Sequence, residues 1–258
     1  NMFYRALGST GMQVSALGFG TVKLGRTEGV KYPQAFTVPD DKEARALLDL
    51  SRDLGINLID TAPAYGNSEE RLGKLLKTDR KQWLICSKVG EEFLDGQSTF
   101  DFSAAHTRMS VERSLRRLQT DYIDMVLVHS DGNDLDIIQN SEALETLAEL
   151  KQRGWIRAFG MSTKTVAGGL LAAEQSDVVM VTYNLNEQAD VAVLDYCREH
   201  NKGALIKKAF ASGHRCDGDA VTEALAMIFL HAGASSAIVG TINPAHLREN
   251  VKKLPKCA

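Results

Sequence analysis

The chain has 258 residues, of which 44% are hydrophobic and 24% are charged. This composition is ordinary for a folded globular protein and excludes a chain that is mainly disordered. Thirty basic residues against 33 acidic residues give a formal net charge of −3, which offers no electrostatic basis for binding nucleic acid. The sequence contains no run of about 18 apolar residues, so it predicts no membrane-spanning helix.

The four cysteines stand far apart and form no C-x-x-C pair. The sequence therefore predicts neither a metal site nor a disulfide framework. We expect reduced thiols and a cytoplasmic protein. The cysteines are Cys86, Cys197, Cys216 and Cys257.

The chain begins with a predicted β-hairpin, because two strand-like segments, residues 3–5 and 12–14, flank the turn sequence Gly8-Ser9-Thr10-Gly11. Short β-branched segments then alternate with longer segments of helical periodicity, which is typical of a parallel sheet covered by helices. The predicted strands are 16–20, 57–60, 83–88, 123–129, 156–160, 178–182, 204–207 and 237–240. The predicted helices are 40–54, 68–77, 104–118, 141–153, 165–175, 188–201, 219–232 and 244–253.

Eight strand–helix units in a chain of this length predict an α/β fold, a (β/α)8 TIM barrel, as one domain over residues 1–258 with the hairpin across its bottom. The alternative is an open, doubly wound sheet. A dinucleotide-binding sheet of that kind would carry G-x-G-x-x-G after its first strand. Here the turn is Gly18-Phe19-Gly20-Thr21-Val22-Lys23, which lacks the third glycine, so the barrel is favoured.

Four polar residues stand at or just after the carboxyl ends of the second, third and fourth predicted strands, where TIM barrels hold their active sites. Asp60 ends the second strand and Tyr65 follows it, while Lys88 and His129 end the next two strands. Each of them alone has a structural explanation, such as a helix cap or a surface charge. Their joint position on one rim favours a catalytic site instead.

The residue types suggest a reaction. A phenol with a pKa of about 10 is a poor proton donor at neutral pH, but a neighbouring ammonium lowers that pKa. Lys88 can supply the ammonium, Asp60 can hold it, and His129 can hydrogen-bond a carbonyl oxygen. Such a set protonates a forming alkoxide but includes no strong nucleophile and no metal cluster. The missing reactant is then a hydride, which implies a nicotinamide cofactor.

A series of short motifs runs through nearly the whole chain. The motifs are Leu17-Gly18-Phe19-Gly20-Thr21, Asp60-Thr61-Ala62-x-x-Tyr65-Gly66, Ser87-Lys88-Val89, Leu127-Val128-His129, Gly154-x-Ile156-Arg157-x-x-Gly160-x-Ser162, Tyr183-Asn184-Leu185, and Val239-Gly240-Thr241 with Leu247-x-Glu249-Asn250. In this order they resemble the aldo-keto reductase family, in particular its short-loop bacterial members related to the aldose and galactose dehydrogenase branch. The resemblance implies a barrel and the interconversion of aldehydes, ketones or sugars with alcohols. It also implies NADP(H) as the favoured cofactor, with NAD(H) as the alternative.

The resemblance further implies roles for individual residues. Tyr65 matches the family's proton donor, and Asp60, Lys88 and His129 match the other members of its catalytic tetrad. The positions that match cofactor contacts are Gly20, Thr21, Asp60, Ser162, Asn184, Lys207, Phe210, Ser212, Thr241, His246 and Asn250.

Some positions depart from the family pattern. Thr163 stands where the family often has asparagine, Met180 where it has glutamine, and Lys207 where an aromatic residue commonly stacks on the nicotinamide. His246 stands where a basic residue commonly binds the 2′-phosphate, and a neutral histidine attracts a phosphate less than the guanidinium of arginine does. These changes leave the tetrad intact but weaken the preference for NADP(H) over NAD(H).

Two other functions stay open at this point. One is a non-catalytic, nicotinamide-nucleotide-binding regulatory subunit on the same barrel, and the other is a barrel lyase or isomerase that needs no nicotinamide. The intact set of Asp60, Tyr65, Lys88 and His129 argues against a pure binding protein, which needs no proton donor. The expected partner is a small carbonyl compound or sugar, with no nucleic acid and no membrane. The sequence makes no prediction of the oligomeric state.

Overall fold

The computed structural model describes residues 1–26, 36–211 and 218–256, and within these ranges eight parallel strands close into a barrel. Around the barrel the strand order is β3-β4-β5-β8-β9-β10-β11-β12, with β12 returning to β3. In chain order the strands are β1 (Tyr4–Ala6), β2 (Gln13–Ser15), β3 (Leu17–Gly20), β4 (Leu58–Asp60), β5 (Leu84–Val89), β6 (Glu91–Leu94), β7 (Gln97–Phe100), β8 (Ile123–His129), β9 (Ile156–Ser162), β10 (Val178–Thr182), β11 (Gly203–Lys207) and β12 (Ser236–Val239).

Helices alternate with the barrel strands, and their apolar faces pack with strand residues in one large buried cluster. Several helices begin at a capping side chain; at α2, for example, the side chain of Asp40 accepts from the Glu43 N–H in a capping box. The helices are α1 (Val22–Gly25), α2 (Asp41–Asp53), α3 (Ser68–Leu75), α4 (Ala104–Leu118), α5 (Asp134–Asn140), α6 (Ala143–Gln152), α7 (Val166–Gln175), α8 (Val191–His200), α9 (Gly218–Leu230) and α10 (Pro244–Lys252).

The TIM barrel predicted from the sequence is confirmed, and the open sheet is wrong because β12 pairs with β3 and closes the ring. The barrel strands lie where they were predicted, and no strand end differs from its predicted position by more than two residues. Sequence reasoning missed the hairpin β6–β7 and helices α1 and α5. Both the missed hairpin and α5 lie in loops at the carboxyl ends of barrel strands, and neither is needed to close the barrel.

The N-terminal hairpin closes the bottom of the barrel, as predicted. β1 and β2 pair antiparallel, and the buried side chains of Leu7, Met12 and Val14 join an apolar cluster inside the barrel. Gly8 has φ +52°, and a Cβ there would meet the backbone nitrogen of Gly203 at 2.5 Å. The turn of this hairpin therefore lies against the barrel at a distance that only glycine allows.

The parallel arrangement brings the carboxyl ends of all eight strands to one rim. The register pairs Gly20 with Asp60 across β3 and β4, and His129 with Ser162 across β8 and β9. Lys88 lies near the end of β5, between those two pairs of strands. The polar residues singled out in the sequence thus point to one end of the barrel.

Candidate active site

A cavity of about 710 Å³ opens at this rim, a volume typical of small-molecule sites. The four predicted catalytic residues line it together with four of the predicted cofactor-binding residues. These eight residues are Gly20, Thr21, Asp60, Tyr65, Lys88, His129, Ser162 and Lys207.

Lys88 forms a buried ion pair with Asp60. Its Nζ lies 2.5 Å from Oδ1 of Asp60 and also donates to the carbonyl oxygen of Thr61 at 2.9 Å. The two side chains are 1% and 6% exposed. Burial by itself would lower the pKa of Lys88, but Asp60 outweighs it with help from Tyr65 and Cys86, so the pKa of Lys88 lies above its ordinary value. Lys88 is therefore a permanent cation in the cavity wall.

Tyr65 lies in the turn between β4 and α3, where its side chain borders the cavity. The Lys88 Nζ lies 5.3 Å from the centroid of the phenol ring. Burial raises the pKa of Tyr65 above its ordinary value, and the charge of Lys88 opposes this rise. The phenol consequently keeps its proton at neutral pH, while the ammonium beside it favours the phenolate that remains once the proton is donated.

A row of buried hydroxyl groups fixes the turn that carries Asp60 and Tyr65. The Thr21 Oγ1 donates to the carbonyl oxygen of Asp60 at 2.8 Å and accepts from the Ser68 Oγ at 2.7 Å. The Ser68 Oγ also lies 2.9 Å from the Thr61 Oγ1. Since Thr21 is fully buried, we assign it to holding the turn rather than to direct proton transfer.

His129 ends β8 with its ring edge-on to Tyr65, at 6.2 Å between centroids and an interplanar angle of 87°. Its Nδ1 lies 3.2 Å from Oε1 of Glu91. Burial, followed by the charges of Lys88 and Lys207, lowers the pKa of His129 well below its ordinary value. The imidazole is therefore neutral at neutral pH.

Lys207 ends β11 on the opposite side of the cavity from β5. Its Nζ donates to the Ser162 Oγ and to the carbonyl oxygen of Thr163, both at 2.9 Å. Burial, with further repulsion from Lys208 and Lys164, lowers the pKa of Lys207 to about 8. A lysine stands here in a position where the family resemblance led us to expect an aromatic ring.

Two other predicted cofactor residues lie beside the cavity rather than in it. The side-chain amide of Asn184 donates to the carbonyl oxygen of Lys208 at 2.9 Å, and its Oδ1 accepts from the backbone N–H groups of Asn186 and Glu187. Asn184 thus organises the turn after β10. It shares a small neighbouring depression with Phe210.

The remaining predicted cofactor residues belong to the end helix α10 or the segment before it. His246 is exposed in the first turn, where its backbone N–H is capped by the Asn243 side chain, and Asn250 is buried one turn later. Thr241 precedes the helix and accepts from the Asn243 N–H at 3.1 Å. None of these three lines the cavity, and Ser212 lies outside the described residues.

Sequence reasoning missed several charged residues of the site, among them Arg26 and Glu91. The Arg26 Nη1 donates to the carbonyl oxygen of Ala64 at 2.8 Å, and the guanidinium lies 3.8 Å from the ring centroid of Phe93. Glu91 and Phe93 both belong to the missed hairpin. The pair Asp95-Gly96, with φ +53° and +77°, forms its turn, and this dipeptide is a hairpin signal that could have revealed it.

Within the described ranges, no group of three or more histidine, cysteine, aspartate or glutamate side chains is placed to hold a metal ion. No helix in the described part of the chain is long and apolar enough to cross a membrane.

Comparison with known proteins points to one family. L-Galactose dehydrogenase of Arabidopsis thaliana is 34% identical over 222 residues, which cover 81% of this chain and 66% of that protein. D-threo-Aldose 1-dehydrogenase of a Pseudomonas species is 30% identical over 237 residues, covering 81% of this chain and 69% of its own length. The chain therefore spans about two thirds of the length of the curated relatives it matches, or slightly less.

Among solved structures, a protein of Pseudomonas aeruginosa assigned to the aldo-keto reductases is 60% identical. It superposes with a TM-score of 0.90, covering 97% of this chain and 93% of that one. The model of the aldo/keto reductase family matches residues 16–219. On these grounds the chain belongs to the aldo/keto reductase family.

Proposed function

We propose that this protein is a nicotinamide-dependent oxidoreductase that interconverts carbonyl compounds and alcohols, with Tyr65 as the proton donor. The observation that carries the proposal is the buried ammonium of Lys88. Asp60 holds it at 2.5 Å, and it lies 5.3 Å from the centre of the Tyr65 ring. A permanent cation beside a protonated phenol allows the phenol to donate its proton and later to recover it, because the cation stabilises the phenolate.

In the reductive direction, the Tyr65 hydroxyl donates its proton to the oxygen that develops negative charge. The Lys88 ammonium then stabilises the phenolate, and the ion pair with Asp60 keeps that ammonium in place. In the oxidative direction the same phenolate accepts the proton of the alcohol. Both directions use the same three groups.

The cavity fits the nicotinamide end of a cofactor, which supplies or removes the hydride when it is bound. Ser162 and Lys207 place polar groups on one wall. Gly20 at the end of β3 also lines the cavity, and a Cβ there would meet Ile238 Cγ2 at 3.2 Å and the carbonyl oxygen of Val239 at 3.3 Å. We assign these residues to the nicotinamide side.

NADP(H) is the favoured cofactor in this proposal, with NAD(H) accepted. His246 and Asn250 on α10, together with Thr241, are assigned to the adenosine end, and Asn184 and Phe210 support the segment between the two ends. Because His246 is a weaker phosphate ligand than arginine, the preference is modest.

The substrate class is a small aldehyde, ketone or sugar, and two relatives are named as dehydrogenases of L-galactose and of D-threo-aldoses. A cytoplasmic location is part of the proposal, supported by the free, buried thiols of Cys86 and Cys197. A non-catalytic binding protein is disfavoured because it has no use for a buried lysine–aspartate pair beside a tyrosine.

The test is turnover of reduced NADP and reduced NAD with 4-nitrobenzaldehyde, followed by the absorbance of the reduced cofactor. Tyr65→Phe keeps the ring but removes the proton, so we expect kcat to fall by about 10²–10⁴-fold. Tyr122→Phe, whose ring stacks with Arg80 away from the cavity, is the matched control and should keep its activity. Near wild-type reduction by Tyr65→Phe would refute the proposed role.

A further inference from the structure

Arg26 is a cation of the cavity wall whose donors are mostly unused. It follows α1 on the segment that leaves β3, and it lines the cavity together with Tyr65. Its Nη1 donates to the carbonyl oxygen of Ala64 at 2.8 Å, the one hydrogen bond that its side chain makes to a described residue. Its Nε is buried and has no partner there. A guanidinium is always charged and has five N–H donors, so this one can still bind an anion.

The acids around the cavity do not neutralise Arg26. The acids that line the cavity in the described part of the chain are Asp60, Glu187 and Asp190. Asp60 is paired with Lys88, and the other two follow β10, three strands away from β3 around the barrel. Glu91 begins the nearby hairpin, but its Oε2 accepts from the Ser98 Oγ at 2.6 Å and it forms no ion pair with Arg26. Among the described residues the guanidinium therefore has no counter-ion.

The surrounding residues hold this guanidinium close to the proton donor. The backbones of residues 25–26 and 65–66 touch, because a Cβ at Gly25 would overlap the carbonyl oxygen of Tyr65 and one at Gly66 would overlap that of Gly25. The Phe93 ring of β6 lies against the guanidinium, 3.8 Å from Cζ to the ring centroid, in a cation–π contact. The charge is thus fixed before a ligand binds, so little conformational entropy is lost on binding.

The same contacts separate Arg26 from the proposed cofactor residues. Its two anchors follow the next two strands of the barrel, since Ala64 comes after β4 and Phe93 after β5. Lys207 ends β11 and His246 follows β12, on the other side of β3. An anion bound by Arg26 is therefore expected on the substrate rather than on the phosphates of the cofactor.

We propose that Arg26 is a specificity-determining residue that binds an anionic group, a carboxylate or a phosphate, on the carbonyl substrate. This inference rests on the proposed function and narrows its substrate class to acidic aldehydes and ketones or to phosphorylated sugars. The oxygens of such a group accept from the unused donors of the guanidinium, and charge-assisted hydrogen bonds of this kind are the stronger ones. A neutral substrate leaves the same donors without partners, which costs binding free energy.

The first experiment measures binding and needs no turnover. Butanoate and butanamide have nearly the same shape, but only butanoate is charged. Titration followed by NMR, with and without oxidised NADP, gives both dissociation constants. We expect butanoate to bind about 10–150-fold more tightly, the range for hydrogen bonds to a charged group. Arg26→Met should remove this difference, and Arg26→Lys, which keeps the charge but loses the planar fork, should retain part of it.

The second experiment compares pairs of aldehydes that differ by one anionic group. The pairs are 4-oxobutanoate with its methyl ester, and glyceraldehyde 3-phosphate with glyceraldehyde. We expect the charged member of one pair to be preferred in kcat/KM, and Arg26→Met to reduce this preference by about 10–150-fold. The pair that shows the effect distinguishes a carboxylate from a phosphate. A purely structural defect would lower both members of a pair equally.

Arg113→Met is the matched control for both experiments. Arg113 pairs with Glu92 of the same hairpin at 2.6 Å but does not line the cavity. The substitution removes one positive charge, as Arg26→Met does, so it changes the general field of the protein equally. We expect it to leave both preferences for the charged compound unchanged.

The outcomes separate the two proposals. Equal binding of butanoate and butanamide, or a preference that survives Arg26→Met, overturns the role of Arg26. A loss of preference as large in Arg113→Met overturns it too, because the general field would then explain the effect. Equal losses for both members of each aldehyde pair overturn the anionic substrate class. If no carbonyl compound is reduced at all, the proposed function fails, while the titrations still decide whether Arg26 binds an anion.

Discussion

Replacing Lys88 by methionine separates the two roles of its charge, in stability and in catalysis. The substitution keeps an unbranched chain but leaves the Asp60 carboxylate, 6% exposed, without its cation. Removing one partner of a buried ion pair costs about 3–5 kcal/mol of unfolding free energy. For a chain of this size that corresponds to a fall in Tm of roughly 10 °C. The rate should fall as well, because the phenolate of Tyr65 loses its stabilising charge.

The pH dependence of this pair follows from the direction of its shift. Because the pKa of Lys88 is raised in the folded protein, its contribution to stability is complete below about pH 10 and is lost only at higher pH. Lys88 should therefore stay charged between pH 6 and 9. In that range its titration should not alter the difference in unfolding free energy between the wild type and Lys88→Met.

The assay is urea unfolding followed by the fluorescence of the buried Trp83 and the partly buried Trp155, together with kcat for aldehyde reduction. The double variant Asp60→Asn with Lys88→Met removes the uncompensated charge as well. We expect it to regain much of the lost stability but none of the lost activity. A single variant as stable as the wild type, or a double variant no more stable than the single one, would refute this account of the pair.

Substitutions at two further residues test the buried cation Lys207 and the proposed adenosine end at His246. Folding lowers the pKa of Lys207 to about 8, so the unfolded chain binds more protons between about pH 8 and 10 and stability rises with pH there. Lys207→Met should therefore raise the unfolding free energy at pH 7 by at most about 3 kcal/mol, and this gain should vanish towards pH 10. Urea unfolding measures it, and a variant less stable than the wild type at pH 7 would contradict the reasoning. At the proposed adenosine end, His246→Arg should widen the preference for NADP over NAD and His246→Glu should reverse it, starting from a wild-type preference of about 1–3 kcal/mol. Dissociation constants for both nucleotides measure this, and a preference that ignores both substitutions would move the phosphate site elsewhere.

The barrel and the convergence of Asp60, Tyr65, Lys88 and His129 on one cavity were predictable from the sequence because both depend on periodicity. Strand and helix periods alternate along the chain, and parallel strands bring their carboxyl ends together whatever the loops do. Asp60, Lys88 and His129 lie at or next to strand ends, so their convergence follows from the fold. Tyr65, five residues after Asp60, is held close by the short turn into α3.

Residues on longer loops were not predictable in the same way. Glu91 belongs to a hairpin that no strand alternation requires, and its contact with His129 depends on the positive φ of Gly90. Asn184 was placed among the cofactor contacts, yet its amide is used by the turn after β10. In both cases the position of the side chain is set by local hydrogen bonds, which the pattern of apolar residues does not record.

Two lysines of the same cavity show why a residue type alone does not reveal its chemistry. Both Lys88 and Lys207 lie at the ends of barrel strands and are desolvated, yet the pKa of one is raised and that of the other is lowered to about 8. The difference lies in the neighbouring strands. β4 ends in Asp60 beside β5, whereas the strands flanking β11 end in Thr182 and Val239, so Lys207 has hydroxyl and carbonyl partners instead of a carboxylate. The order of strands around the barrel therefore decides which lysine is a fixed cation acting on Tyr65 and which one titrates near neutral pH.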